Sequence, residues 1–206
     1  MSDHRSIPLS VLFAGDQTPE FSAEYFDKRA KNYDAEVGAA QYRGPEILAN
    51  IINEHVKDKT TRMLCIGAGT GLEGVALHAQ GFTRIDIQDG SERMVELARQ
   101  RGIFEQCHCE LLYHDKPSVF QTDSYDVVTC LALRIVRPGG LTFTAIQRCF
   151  TRPMPEHNWP YDLESTIQRM HDDGLIELLE RREDDGWGGL RSSEKQIGVV
   201  YVYRKK

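Results

Sequence analysis

The sequence predicts an α/β fold built on a largely parallel sheet, and three observations predict it. Between residues 63 and 146, short apolar runs alternate with helix-length amphipathic stretches, the pattern of strands joined by crossover helices. The first apolar run ends in a glycine-rich turn that opens a helix, where the backbone must turn sharply between layers. Towards the C-terminus two strand-like stretches follow one another with no helix between them, so that pair is expected to be antiparallel.

Residues 1–19 show no periodicity and read as a flexible N-terminal arm, and residues 20–206 read as one domain entered through two helices. Phe21, Tyr25, Phe26 and Ala30 fall near one face of the first helix. Pro45 opens the second; Ile47, Leu48, Ile51 and Ile52 follow at helical spacing, and His55 and Lys57 stand in its last turn. The period then changes. Met63-Leu64-Cys65-Ile66 reads as a buried strand. Leu72, Val75, Ala76 and Ala79 mark a helix closed by Gly81, and residues 84–88 a second strand. Ser91 is placed to cap a helix presenting Met94, Val95 and Ala98, which stops at Gly102. Residues 107–112 read as a third strand and 125–131 as a fourth. Pro138-Gly139-Gly140 reads as a turn and 141–146 as a fifth strand. Asp162 caps a helix carrying Leu163, Ile167 and Met170 and closed by Gly174, before the antiparallel pair at 175–183 and 197–203.

Composition narrows the class. The 206 residues suit a single domain, and 40% hydrophobic with 27% charged content is that of an ordinary globular protein. A net charge of −6 argues against nucleic acid as partner, since a phosphate backbone calls for a basic face. Five cysteines without disulfide spacing read as reduced thiols of a cytoplasmic or nuclear chain. No apolar run reaches membrane-spanning length, and the short stretch 7–14 lacks the cationic flank of a signal peptide.

The chemistry concentrates at Gly67-Ala68-Gly69-Thr70-Gly71, between a strand and a helix. Glycines there let the backbone approach a ligand, and the helix that follows directs free N–H groups at it. Asp89 lies at the end of the second strand, about twenty residues on, the spacing at which a carboxylate meets ribose hydroxyls. A dinucleotide fingerprint requires glycine at its sixth position. That position is Leu72 here, which argues for a cofactor without pyrophosphate and against an NAD-linked reductase.

The successive motifs 63–71, Asp89-Gly90-Ser91 with Met94, 123–128 and 136–140 resemble those of Rossmann-like class I S-adenosylmethionine-dependent methyltransferases. The resemblance is closest to the methyltransferase-like proteins of the Williams–Beuren syndrome region, with Tyr33-Asp34, 42–46 and 199–203 also matching. It implies S-adenosylmethionine as methyl donor. Gly67, Ala68, Gly69 and Gly71 would border the methionine part, Asp89 would bind the ribose and Gly90 would lie beside the adenine. His114, in the loop Tyr113-His114-Asp115, would flank the adenine.

Two departures stand out. Many members have Asp where this chain has Cys65, a carboxylate that helps organise the amino-acid end of the cofactor; cysteine does not accept comparable hydrogen bonds. Second, only residues 132–140 separate the fourth and fifth strands, whereas a parallel crossover needs about ten to twelve residues. The family usually places a substrate-facing loop and a helix there. Such a shortened crossover is expected to return in an extended or single-turn path, or to draw residues 131–133 out of the sheet early. Either way it exposes apolar surface and opens the acceptor side.

Cys107-His108-Cys109 with His114 lacks the second ligand pair of a zinc site. Tyr33, Tyr42, Trp159 and Trp187 read as packing residues before they read as pocket lining. No catalytic base is evident in the sequence, and methyl transfer requires one only when the acceptor holds its proton tightly. The functional expectation is a methyltransferase acting on a small molecule or a protein, the former favoured by the acidic balance, with no metal. The alternative is a degenerate cofactor-binding domain whose truncated acceptor wall abolishes transfer.

Overall fold

The computed structural model describes residues 18–113, 116–130, 135–147, 162–187 and 197–206. It contains helices α1 (Pro19–Ala39), α2 (Gly44–His55), α3 (Leu72–Ala79), α4 (Glu92–Gln100) and α5 (Leu163–Asp172), and strands β1 (Met63–Ile66), β2 (Ile85–Asp89), β3 (Cys107–Cys109), β4 (Tyr125–Thr129), β5 (Val136–Gln147), β6 (Ile176–Asp184) and β7 (Gly198–Lys205). The strands form one sheet in the order β3-β2-β1-β4-β5-β7-β6. β1 to β5 pair in parallel, and β7 runs antiparallel between β5 and β6. This is the predicted α/β Rossmann-like sheet with its C-terminal antiparallel pair.

The helix starts are chemically explicit. Thr18 accepts the Phe21 N–H at 3.2 Å and Pro19 follows it. Ser91 accepts the Met94 N–H at 3.2 Å and Asp162 the Ser165 N–H at 2.9 Å. On one face of the sheet, Ile47, Leu48, Ile51 and Ile52 of α2 pack with Leu77 of α3 against Met63, Cys65, Ile85, Ile87, Val127 and Phe143. On the other, α5 lays Ile167 over Ile176, Val199, Tyr201 and Tyr203. Tyr42 and Trp187 belong to the packing, their rings edge to face at 6.0 Å; Trp159 lies outside the described residues.

Three elements differ from the sequence reading. β3 ends at Cys109 rather than at 112: Glu110 turns its carbonyl to the Gln88 side chain and its carboxylate to the Val119 N–H, so the chain leaves the ladder. Pro138-Gly139-Gly140 lies inside β5, which starts at Val136. Tyr125 pairs with Val136 and Val127 with Leu141, so these residues form a bulge opposite β4 instead of a turn before the strand.

The third concerns the crossover. β4 ends at Thr129 and β5 begins at Val136. Seven Cα steps reach roughly 23–25 Å when extended, and the four steps of β4 span about 13 Å, so the connection has the length to return; residues 131–134 lie outside the described residues. Cys130 leaves the strand at φ +102°, earlier than the predicted end at 131. The expected bare face is nevertheless absent: Leu64, Val128 and Val136 are fully buried, Tyr125 and Ile135 nearly so, and Phe120 packs against them. Ile135 and Phe120, from the segment before β4, pack over that face. Among the described residues the exposed large apolar side chains are Val119, Leu175 and Leu178, none of them on β4 or β5. Among the same residues, no helix is long and apolar enough to cross a membrane.

Candidate functional site

The strand order reverses between β1 and β4, and open α/β sheets bind ligands above such a reversal, at the carboxyl ends of the strands. The glycine turn 67–71 leaves β1 there and leads into α3. Gly67 and Gly69 take φ of +65° and +56°. A Cβ on Gly67 would meet nothing within 4 Å, and one on Gly69 only the Tyr33 ring at 4.0 Å, so both present bare backbone to open space.

Asp89 closes the other side. Its two carboxylate oxygens accept the N–H groups of Gly69 and Ser91, each at 2.8 Å. Burial pushes the Asp89 carboxyl above its ordinary value, and the N–H groups of Ser91, Gly69 and Gly90 restrain the rise. Gln88 supports the turn through its side chain, which accepts the Gly67 N–H at 3.3 Å and donates to the Glu110 carbonyl.

A cavity of about 290 Å³ lies between these groups, lined by Gly67, Gly69, Asp89, Gly90, Met94 and Leu111. Its roof is α1, through Pro19, Ser22, Ala23, Phe26 and Tyr33. Acidic side chains latch that helix down. Asp27 accepts from the Ser91 hydroxyl and from the Arg93 N–H at 3.0 Å. Asp34 accepts from the Thr70 hydroxyl and pairs with Arg101, each at 2.5 Å. Glu20 meets the Tyr113 hydroxyl. Burial raises the Tyr33 phenol, so it stays neutral over the cavity. A larger groove between α1 and α4, lined mainly by charged side chains, contains none of the predicted site residues.

Four predicted residues, Gly67, Gly69, Asp89 and Gly90, line the cavity. Two stand behind it. Ala68 packs on the core, and its carbonyl accepts the Gly71 N–H at 2.8 Å. Gly71 begins α3 at φ +85°, where a Cβ would lie 2.7 Å from the Phe104 ring. His114 lies outside the described residues. The α1 roof was not anticipated: the hydroxyls and carboxylates that latch it come from positions tens of residues apart, and no local pattern signals that.

No family model matches the sequence. The chain is 28% identical over 172 residues to the Homo sapiens methyltransferase-like protein 27, covering 75% of this chain and 68% of that protein. Among solved structures, a S-adenosylmethionine-dependent methyltransferase from Leishmania major superposes with TM-score 0.63 at 14% identity, covering 93% of this chain and 85% of that one. A TehB-like S-adenosylmethionine-dependent methyltransferase from Corynebacterium glutamicum gives 0.57 at 16% identity, covering 87% and 99%. The [4+2]-cyclase SpnF gives 0.64 at 13% identity, covering 92% and 97%. Fold and sequence point the same way: the sheet is similar to that of solved S-adenosylmethionine-dependent methyltransferases, and the sequence is similar to a methyltransferase-like protein. The relationship to methyltransferase-like protein 27 agrees with the resemblance carried by the sequence motifs.

Proposed function

We propose that this chain transfers a methyl group from S-adenosylmethionine to a small-molecule acceptor. The observation that carries the reading is the half-open cavity at the strand ends, with the bare backbone of Gly67 and Gly69 on one wall and the Asp89 carboxylate on another. That donor set suits an adenosine: a carboxylate for the ribose hydroxyls, and Gly90, Met94 and Leu111 as an apolar slot for the base. When bound, S-adenosylmethionine would supply an electrophilic methyl on a sulfonium, open to in-line attack by an acceptor N, O, S or C atom with the thioether of S-adenosylhomocysteine as leaving group.

The chain's own residues orient and enclose. Asp89 exchanges its Gly69 contact for hydroxyl donors while keeping Ser91. Phe26 and Tyr33, edge to face at 6.2 Å, exclude water from above. Positioning and a dry site supply much of the acceleration in such displacements. The net charge of −6 disfavours nucleic acid as acceptor, and the α1 roof over the cavity favours an acceptor small enough to pass beneath it.

The fold alone does not carry the activity, because one neighbour of this architecture is a cyclase. The sequence relationship favours transfer over a degenerate domain, and the burial of Leu64, Val128 and Val136 supports an intact sheet centre. The test has two parts. Calorimetric titration should give S-adenosylhomocysteine binding in preference to NAD; NAD binding with no S-adenosylhomocysteine binding sinks the reading. Radiolabelled S-adenosylmethionine incubated with metabolite and peptide fractions should label the small-molecule fraction. Label in peptides alone would reassign the acceptor, and binding without any transfer would favour the degenerate domain.

A further inference from the structure

A carboxyl group stands at the reversal point of the sheet, and none of the contacts above uses it. Cys65 of β1 and Thr129 of β4 are register partners there. Glu73, in the first turn of α3, comes down beside both, and the Thr129 hydroxyl and Cys65 thiol are the polar groups that act on its carboxyl. Glu73 Oε1 and Thr129 Oγ1 are both shut away from solvent, and beyond their mutual approach and the Cys65 thiol neither finds a well-formed hydrogen bond among the described residues. Two buried polar atoms left under-satisfied at one spot are costly and call for a reason. Burial pushes the Glu73 carboxyl up further than its neighbours pull it down, and it pushes the Cys65 thiol well up, so Cys65 is no anion. A first-turn glutamate needs only to face solvent to favour the helix dipole. Glu73 instead turns its acceptor inward, behind the glycine turn and at the strand ends.

We infer that Glu73 receives the α-ammonium of the cofactor's amino-acid end, so that the carboxylate many relatives carry at position 65 is supplied in this chain from the helix. The inference rests on the cofactor reading above. The chemistry selects the group: a cationic donor with several N–H bonds satisfies Glu73 Oε1 and leaves a further donor for the Thr129 hydroxyl. The neutral Cys65 thiol beside them leaves room for a single negative charge.

The experiment compares two ligands on the full chain by calorimetry. S-adenosylhomocysteine carries the amino-acid end; 5′-methylthioadenosine keeps the adenosine and sulfur and lacks it. Glu73→Gln should weaken S-adenosylhomocysteine about 10- to 100-fold, the loss of a charge-assisted hydrogen bond, and leave 5′-methylthioadenosine unchanged. Adding Cys65→Asp to that variant should restore much of the loss. An equal loss for both ligands, or none for either, overturns the assignment, since a purely structural Glu73 does not distinguish them. Should Glu73→Gln fail to fold, Glu73→Asp draws the carboxylate back by one methylene and should produce the same selective loss. A wild-type protein that binds neither ligand brings down the cofactor reading itself, an outcome distinct from the others.

Discussion

Replacing Asp89 separates two jobs that one carboxylate holds. In the unliganded protein it accepts two backbone N–H groups at 2.8 Å, from Gly69 and Ser91. Asp89→Ala leaves both donors short of an acceptor. At about 1 kcal/mol net for each hydrogen bond the fold loses roughly 2 kcal/mol, or about 4–8 °C of melting temperature in a chain of this size. Cofactor binding should fall by about 1.5–3 kcal/mol, roughly 10- to 150-fold, because hydrogen bonds to a charged group are lost. Asp89→Asn isolates the charge. Burial holds the folded Asp89 carboxyl above its ordinary 3.8. A raised folded value means that its contribution to stability is complete below 3.8 and is lost as pH climbs through the folded value. Wild-type stability should therefore carry a downward component with rising pH in that acid window, and Asp89→Asn should remove it. Urea melts across pH 3–7 and titration with S-adenosylhomocysteine read the two effects. Unchanged affinity in a folded Asp89→Ala protein would refute the ribose assignment, and identical pH slopes for wild type and Asp89→Asn would refute the burial argument.

The glycines of the turn should divide by role. Gly71→Ala meets the Phe104 ring at 2.7 Å in a left-handed conformation and should cost about 2–4 kcal/mol in urea melts. Gly67→Ala projects into open space and should cost only about 1–2 kcal/mol, from its positive φ, while weakening S-adenosylhomocysteine in calorimetry. Asp34→Ala releases Thr70 and Arg101 together, so amide exchange in α1 should quicken and cofactor dissociation in stopped flow should accelerate. Unchanged exchange would show that Asp27 and Glu20 hold the helix without it. Val128→Ala should cost about 1–3 kcal/mol, since that side chain is fully buried; a cost near zero would mean that the face is open after all.

The strands and caps were legible because each is a local pattern. Thr18, Ser91 and Asp162 sit three residues before the N–H groups they accept, and Met63–Ile66 announces a buried strand by its unbroken apolar run. The meeting of Asp89 with the glycine turn was legible from spacing alone, because consecutive parallel strands bring their ends together. What stayed hidden depends on distant partners. Nothing near Asp27 or Asp34 says that they will reach Ser91 and Thr70. Glu73 reads as an ordinary first-turn acid until Cys65 and Thr129 enclose it. Pro138-Gly139-Gly140 has the composition of a turn, and only its pairing context with β4 makes it a bulge. The exposed face was expected because a missing helix was equated with missing cover, whereas Phe120 and Ile135 provide it from loops.

The abbreviated path between β4 and β5 also bears on how the chain finds its fold. Tyr125 and Val136 pair across eleven positions, whereas the first pairs of β1 with β2, β2 with β3 and β1 with β4 span 22, 20 and 64. Loop-closure entropy rises with the logarithm of that separation, by about 0.6 kcal/mol for each doubling, and distant pairings are the slow ones. Two central strands are thus the cheapest parallel neighbours for this molecule to bring together, and assembly can begin in the middle of the sheet and spread outward to its edges.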